Sequence, residues 1–531
     1  MKLVSLTITG ADTCGGLLDG INVPLEGRML IPTCLTQYAW SARMALVNHN
    51  CCKWLRKYFT QYFANFHRRK NVVLQTMNFF FELEYLISDL YEKFSRVRIS
   101  RKRDGTRKKK IKVEVLVDED WEELNDPRRI SELLPAKVIG YTSGDNETLS
   151  LPFFASRAGY ADEVAKNAKN KDKKDKPIKD PRLMLIDYST NLEVLVANLL
   201  LGSEDVKQRL IETQRLEKFR SFRCVVQLNH PAAPSGGVKL TQELQNYIGF
   251  MKKCSTCFEH NIKKNTYIFD FFIDESVHQA FSHYWPDGTL ELYSCFHKLA
   301  MLNDLIIPKT SRKKFDTGIK DRRFASRLPE PVDEHKVFRF EKLEFLLTGK
   351  NKPVDYVSLS DGEHQLAQIL GMIGMASGRN VLFLLDEPES HFNPRWRVEF
   401  IKMIRNFPTD VGSRASNTEA AQQECLLTTH SPFVPSDMQR ENVLIFKKDL
   451  ETTSIKVRLP EIQTYGSKFD AILAECFEIQ PPISALPRDE IDNLLVKGSA
   501  EEIQTALSNL GDSTARMRLA ARLAALQEGK E

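Results

Sequence analysis

The sequence predicts an α/β fold in which helices cover a largely parallel sheet. Two apolar runs, in "VLFLLD" at 381–386 and "ECLLTT" at 424–429, have the composition of buried parallel strands. Alternating apolar and polar residues in "KLVSLTI" and "FFFELEYLI" predict two further strands nearer the N-terminus. Helical patterns such as "NLEVLVANLLL" stand between these segments.

Composition restricts the class of protein. The 531 residues are enough for roughly two to four domain-sized units. No apolar run approaches the roughly 20 residues that span a bilayer, and "MKLVSLTITG" lacks the apolar core of a secretory signal. We therefore expect a cytoplasmic protein without a membrane partner. Cys254 and Cys257 form one CxxC without a second pair, which favours ordinary thiols over a zinc site.

Basic residues are concentrated in two stretches, although the net charge is only +5. The stretch from Arg98 to Lys112 reads as a hairpin that turns at Asp104 and Gly105. The stretch "KNAKNKDKKDKPIKD", residues 166–180, is nearly free of apolar side chains, which predicts a solvated linker or loop. Both the hairpin and the segment from Lys166 to Lys179 could contact DNA, but such charge runs are also common on solvated surfaces.

A capped helix start is predicted within "YVSLSDGEHQLAQILGMI". Ser360 is a suitable N-cap, and Glu363 completes a capping box three residues later. Exposed backbone N–H groups and the helix dipole make such a start a device for binding phosphate. The motif is weak alone, because capped helices are common.

Two acids stand at the end of the buried strand in "NVLFLLDEPESHFNP". The carboxyl ends of parallel strands form the ligand-binding edge of an α/β sheet. Asp386 there could hold Mg²⁺, and Glu387 could act as general base toward water. The alternative is a strand that ends in an acidic turn without function.

A histidine follows the next predicted strand, in "ECLLTTHSPFVPSDM". His430 comes roughly 45 residues after the acids, as on a neighbouring strand. From that position it could hydrogen-bond a γ-phosphate or the attacking water.

The order and spacing of these stretches resemble those of the ABC-type ATPases. The block Leu359, Ser360, Asp361, Gly362, Glu363 is similar to the signature motif, and "LFLLDEP" to the Walker B strand. "ESHFNP" resembles the D-loop and "TTHSP" the switch histidine. The "EPE-x-H-x-x-P" pattern is closer to the RecF, OLD and SMC-like branch. More narrowly, "VIGYTSGDNE", "LIDYSTN" and "TYGSKFDAILAECF" resemble restriction-system-associated ATPases of bacterial defence islands, relatives of the Septu-type ATPase.

The resemblance implies a P-loop ATPase head that binds ATP and Mg²⁺ and dimerises around ATP. It assigns Glu387 and His430 to catalysis and Asp386 to the metal, and places Ser390, His391 and Asn393 at the dimer interface. The signature residues would act on the nucleotide of the partner. It further implies a defence role with a separate nuclease subunit. The alternatives are a RecF/SMC-like repair ATPase and a pseudo-ATPase scaffold.

The predicted head is divided in the chain. Its parts are residues 1–136 and 343–465, and residues 137–342 form an inserted, partly helical lobe that contains the lysine-rich linker. Residues 466–531 are predicted as a helical tail.

One motif that the family requires is absent from the sequence. No stretch matches the phosphate loop G-x-x-x-x-G-K-[ST], which is expected between Trp40 and Asn50. The codons of residues 40–59, read one base earlier, permit "MVGPNGAGKSQLLQVVAEIF", in which a Gly and Leu-Leu-Gln are dictated by the code unless a stop codon intervenes. We therefore hypothesise a paired frameshift over residues 40–78. The sequence as written is expected to bind ATP poorly.

Overall fold

A computed structural model shows the architecture of most of the chain. It describes residues 1–11, 21–24, 45–47, 79–88, 94–102, 111–143, 147–170, 175–176, 178–187, 190–213, 216–230, 233, 237–320, 331–347, 349–356, 360–376, 378–409, 412–413, 423–448, 455–480 and 482–528. Of the expected phosphate-loop segment, Trp40 to Asn50, only Ala45–Val47 lies within the described residues. Leu359 of the signature block also lies outside them.

The strands are numbered in chain order. They are β1 (Lys2–Ala11), β2 (Ile21–Pro24), β3 (Ala45–Val47), β4 (Phe79–Ser88), β5 (Phe94–Arg101), β6 (Lys112–Val117), β7 (Asp120–Glu123), β8 (Lys137–Thr142), β9 (Leu183–Ile186), β10 (Leu216–Gln227), β11 (Cys257–Asn261), β12 (Thr266–Phe272), β13 (Phe338–Leu347), β14 (Lys350–Asp355), β15 (Val381–Asp386), β16 (Pro408–Thr409), β17 (Gly412–Ser413), β18 (Glu424–Thr429), β19 (Val443–Lys448) and β20 (Ile455–Arg458).

The α-helices are numbered in the same way. They are α1 (Pro127–Glu132), α2 (Glu147–Asn167), α3 (Asn191–Leu201), α4 (Glu204–Thr213), α5 (Gln242–Cys254), α6 (Glu275–Tyr284), α7 (Thr289–Met301), α8 (Lys309–Lys320), α9 (Asp361–Met375), α10 (Pro394–Asn406), α11 (Phe433–Ser436), α12 (Phe469–Phe477), α13 (Ala485–Lys497), α14 (Ala500–Asn509) and α15 (Thr514–Glu528). None of the described helices combines the length and the apolar character needed to cross a bilayer.

The central sheet has seven strands in the order β20-β19-β3-β18-β15-β8-β9. Its neighbouring strands run parallel, except that β20 pairs antiparallel with β19. Every residue of β15 and of β18 is buried, which agrees with the uninterrupted apolar stretches at 381–385 and 425–427. The prediction of an α/β fold with a parallel sheet is therefore confirmed.

Three central strands end level with one another. Asp386 of β15 is paired with Thr428 of β18, and Thr429 is paired with Val47 of β3. Because the three strands run parallel, their carboxyl ends lie at one edge of the sheet. Strand β3 lies inside the segment in which the phosphate loop is expected, and it ends at the same edge as the acids.

Two antiparallel sheets flank the central one. The first has the order β2-β1-β4-β5-β6-β7 and contains the two strands predicted near the N-terminus. Its pair β5 and β6 forms the arms of the predicted basic hairpin, whose turn at Asp104 and Gly105 lies outside the described residues. The second sheet has the order β11-β12-β10-β13-β14 and lies within the part of the chain predicted as the lobe and its junction.

Helix α9 is buried along almost its whole length against α3. At Gly371 an added Cβ would lie 2.9 Å from Val194 of α3, so only glycine allows this approach. The side-chain amide of Asn198 donates to the Gly371 carbonyl at 3.0 Å and to the Val194 carbonyl at 2.8 Å. This contact fixes the C-terminal half of α9 against α3.

The segment 137–342 shares its core with the rest of the chain. Strands β8 and β9, which fall inside the predicted lobe, are the last two strands on one side of the central sheet. The lysine-rich segment is anchored toward its two ends, and its described lysines, Lys166, Lys169, Lys176 and Lys179, are exposed. It begins inside α2, Ile178 is buried, and Asp180 lies 2.5 Å from Nζ of Lys298. An apolar side chain and a buried partner for one acid anchor this segment, whose lysines determined the prediction.

Candidate functional site

Helix α9 begins with the predicted capping box. The hydroxyl of Ser360 accepts from the Glu363 amide at 3.4 Å, and the Glu363 carboxylate accepts from the Ser360 amide at 2.8 Å. Ser360 and Asp361 are exposed, and Gly362 is buried. The helix start thus presents its first turn to solvent at the surface where a partner could lie.

The two predicted acids lie at the carboxyl end of β15. Asp386 is buried, and its Oδ1 accepts a hydrogen bond from the Thr428 hydroxyl at 3.0 Å. Glu387 follows with a backbone φ of 45°, a strained value for a residue other than glycine. Its amide donates to the Thr428 carbonyl at 3.2 Å. The strained turn directs the two neighbouring carboxylates into different surroundings.

His430 faces Glu387 from the next strand. Its Nε2 lies 3.6 Å from Oε1 of Glu387, and the side chains are 46% and 23% exposed. This is slightly beyond hydrogen-bond length. The imidazole is about half exposed, whereas Oε1 of Glu387 itself is shielded from solvent.

The predicted interface residues form the turn between β15 and α10. The Ser390 amide donates to the Glu387 carbonyl at 3.1 Å, and Asn393 caps α10 by accepting from the Trp396 amide at 3.0 Å. His391 is exposed, and its carbonyl oxygen would lie 2.8 Å from a Cβ placed on Gly362. The structure therefore brings the start of α9 against this turn within one chain.

Glu389 was not among the predicted site residues, although it lies in the same turn. It is 3% exposed, and its Oε1 accepts from the hydroxyl of Thr429. Burial raises the pKa of its carboxyl to about 7, opposed by the Thr429 hydrogen bond. The signal in the sequence was a third acid, three residues after Asp386, between a buried strand and a helix cap.

Of the implied ligands, Mg²⁺ and ATP, the described residues fit Mg²⁺. Mg²⁺ is usually held by one or two carboxylates together with water and phosphate oxygens, and Asp386 can supply one carboxylate. Within the described residues no cluster of three His, Cys, Asp or Glu side chains could hold a metal unaided. A cradle for the phosphates is missing from the sequence as written, since it contains no G-x-x-x-x-G-K-[ST].

Two cations of the basic hairpin, Arg98 and Lys112, are paired within their own sheet. Arg98 makes two hydrogen bonds to Glu84, at 2.7 and 2.8 Å, and its guanidinium lies 3.8 Å from the ring centre of Trp121. Lys112 lies 2.8 Å from Glu123. These contacts lower the positive charge that the hairpin presents. DNA binding by this stretch and by the segment from Lys166 to Lys179 stays a prediction.

A separate cavity lies away from the acidic turn. Its volume is about 630 Å³, and it lies between α7, β13 and the start of α9. On its wall Nδ1 of His297 lies 3.2 Å from Oε2 of the buried Glu193. Burial raises the pKa of Glu193, and the neighbouring His297 opposes this shift. The predicted acids, Asp386 and Glu387, do not line this cavity.

Comparison with known proteins gives a partial match. Residues 260–437 match the family described as "AAA domain, putative AbiEii toxin, Type IV TA system". This family consists of P-loop ATPases, and the match supports ATP binding by the segment that contains the signature block, the acids and His430. The chain is also 29% identical over 142 residues to human microtubule-actin cross-linking factor 1, isoforms 1/2/3/4/5. This likeness covers 26% of the chain and 2% of the length of that protein.

Proposed function

We propose that the chain is an ABC-type ATPase whose catalytic groups are Asp386, Glu387 and His430. The observation that carries the proposal is their common position at the carboxyl edge of the central sheet. Glu387 accepts a proton from water, and His430 donates a hydrogen bond toward the phosphate or water. Asp386 holds Mg²⁺, which neutralises charge on the phosphates when bound.

We propose that the phosphate loop lies at the same edge. In the alternative frame G-x-x-x-x-G-K-S falls on residues 42–49, which include the positions of β3. Val47 is paired with Thr429, one residue before His430. A Gly-rich loop with a lysine at this place would lie beside the acids. We define the frame-restored chain as the protein in which residues 40–78 carry the translation of the alternative frame.

ATP binding and phosphate release by the two chains test this proposal. We expect hydrolysis by the frame-restored chain and weak or no ATP binding by the sequence as written, which lacks the phosphate cradle. The matched control is a frame-restored chain whose loop lysine is replaced by alanine. A frame-restored chain that neither binds nor hydrolyses ATP would contradict the proposal.

We further propose that two copies sandwich the nucleotide. The exposed side chains of Ser360 and His391 lie on adjoining segments, since Gly362 packs against the His391 carbonyl. A two-fold dimer through this surface would place the start of α9 from one copy over the acids of the other. Sedimentation with and without ATP distinguishes this dimer from a monomeric ATPase.

The biological setting is proposed to be bacterial defence with a separate nuclease partner. Support comes from the description of the matched family, which names a toxin of a type IV toxin–antitoxin system, and from the resemblance to restriction-associated ATPases. Loss of phage protection in a Glu387→Gln strain that still produces the protein would support this role. Protection that is unchanged would contradict it.

A second candidate is a pseudo-ATPase scaffold. The sequence as written favours it, because no phosphate loop occurs in its 531 residues. In that case the sequence as written would dimerise without ATP, and Glu387→Gln would change nothing.

A further inference from the structure

We infer that Glu389 is a positioning residue, which holds His430 near Glu387 through the hydroxyl of Thr429. The inference about ATP turnover rests on the proposed function. The inference about the position of His430 does not, because it concerns contacts that exist without nucleotide.

The backbone of Glu389 is fixed inside the turn that carries the catalytic acid. Its carbonyl accepts from the Phe392 amide at 3.0 Å, and the next amide, of Ser390, donates to the Glu387 carbonyl at 3.1 Å. The carboxyl of Glu389 therefore starts from a rigid base. It leaves the turn toward β18, where its Oε1 meets the Thr429 hydroxyl.

Thr429 connects this carboxyl to the segment around His430. Its hydroxyl donates to Glu389 and also accepts from the Ser431 amide at 2.9 Å. A single hydroxyl thus holds the residues on both sides of His430. Because residues 429 and 431 are held, the backbone between them has little freedom to move.

The residues that hold His430 are buried, whereas the His430 side chain itself is half exposed. Glu389, Thr429 and Ser431 are buried, whereas the His430 side chain is 46% exposed. The contacts of Thr429 and Ser431 thus act on the imidazole through the backbone on either side of it. Loss of the anchor would let His430 move away from Glu387, from which it is separated by 3.6 Å.

A carboxyl group would destabilise the fold at this buried position if it only filled space. Burial of a carboxyl without full compensation is unfavourable, and an apolar side chain of similar size would pack at lower cost. A group that accepts a hydrogen bond from Thr429 does what an apolar side chain could not. Variants of Glu389 that can or cannot accept this hydrogen bond therefore test its role.

The test uses the full chain with ring-labelled histidine, and NMR follows the His430 signal, assigned by its loss in His430→Gln. We expect the signal to shift in Glu389→Leu and in Thr429→Val. It should stay near its original position in Glu389→Gln, since the amide oxygen can accept the same hydrogen bond. Thr464→Val is the matched control, because it removes a buried hydroxyl that donates to the Met438 carbonyl at 2.6 Å outside the turn.

An unmoved His430 signal in folded Glu389→Leu and Thr429→Val would overturn the inference. If Glu389→Leu does not fold, Thr429→Val decides alone. In the frame-restored chain, both variants should lower kcat by roughly 10- to 100-fold while KM for ATP changes less than about twofold. An unchanged kcat beside an active parent would overturn the role in turnover. An inactive parent would count against the proposed function, while the NMR result would still decide the position of His430.

Discussion

His430 and Glu387 face each other across two neighbouring parallel strands, with 3.6 Å between Nε2 and Oε1. The pairing of Asp386 with Thr428 sets this relationship, because it ends both strands at one level. The geometry follows from the sheet register and from the strained turn at Glu387.

Ser360, the capping serine of α9, should contribute to ATP-dependent dimerisation, whereas Ser499, which caps α14, should not. Ser360 with Glu363 and Ser499 with Glu502 form the same capping box on different helices. Ser360→Ala and Ser499→Ala should each cost about 1 kcal/mol of stability. Only Ser360→Ala should weaken ATP-dependent dimerisation of the frame-restored chain, measured by sedimentation. Equal effects of both variants on dimerisation would argue against the signature role.

Glu389 should make the stability of the protein depend on pH. Its pKa is about 7 in the folded chain against 4.5 in the unfolded chain, so the folded state holds the proton more tightly. The contribution is most favourable below pH 4.5 and falls as pH rises toward 7, by about 3 kcal/mol in all. Three groups face this carboxyl. Glu387 raises the pKa of Glu389 and Arg397 lowers it, while Glu389 in turn raises the pKa of Tyr141.

The variant Glu389→Gln removes this titration. Between pH 5 and pH 8, Tm of the parent should therefore fall relative to Tm of Glu389→Gln, as measured by thermal unfolding. A constant difference between the two proteins across this range would contradict the raised pKa.

Two helical glycines should respond to alanine in opposite directions. In Gly362→Ala the new Cβ would lie 2.8 Å from the His391 carbonyl oxygen, so the backbone must shift, at a cost of about 1–3 kcal/mol. At Gly249, in α5, a Cβ meets nothing within 4 Å, and alanine should stabilise the helix by up to about 1 kcal/mol. Thermal unfolding of both variants provides the comparison. A Gly362→Ala protein as stable as Gly249→Ala would show that α9 does not pack tightly against the turn.

Asp386 should control the response to Mg²⁺. Asp386→Asn keeps the size of the side chain and an oxygen that can accept from Thr428, but it removes the negative charge. In the frame-restored chain, we expect turnover to require a higher Mg²⁺ concentration and kcat to fall. Phosphate release across a Mg²⁺ titration measures both effects. An unchanged Mg²⁺ dependence would remove Asp386 from the metal site.

The sequence predicted the central part of the fold because its signals are local. The segments that became β15 and β18 contain continuous apolar stretches, residues 381–385 and 425–427, as expected of buried strands between two covered faces. The capping box at Ser360 also involves only four neighbouring residues. Such features depend on spacing along the chain and can be found without a partner segment.

Other features depend on contacts between distant segments. The anchoring of Asp180 by Lys298 could not be seen among the surrounding lysines. The link from Glu389 to Thr429 spans forty residues of sequence and requires the register of β15 against β18. The place of β8 and β9 in the central sheet likewise depends on pairings that neither segment encodes alone.

Hydrolysis of ATP by the frame-restored chain, with and without Glu387→Gln, tests the central claim most directly. The account predicts turnover by the parent and a loss of roughly 100- to 10,000-fold in the variant, because the general base is removed. The variant should still bind ATP and accumulate as a dimer, which sedimentation detects. Equal turnover by parent and variant, or no turnover by the parent, would contradict the assignment of this site.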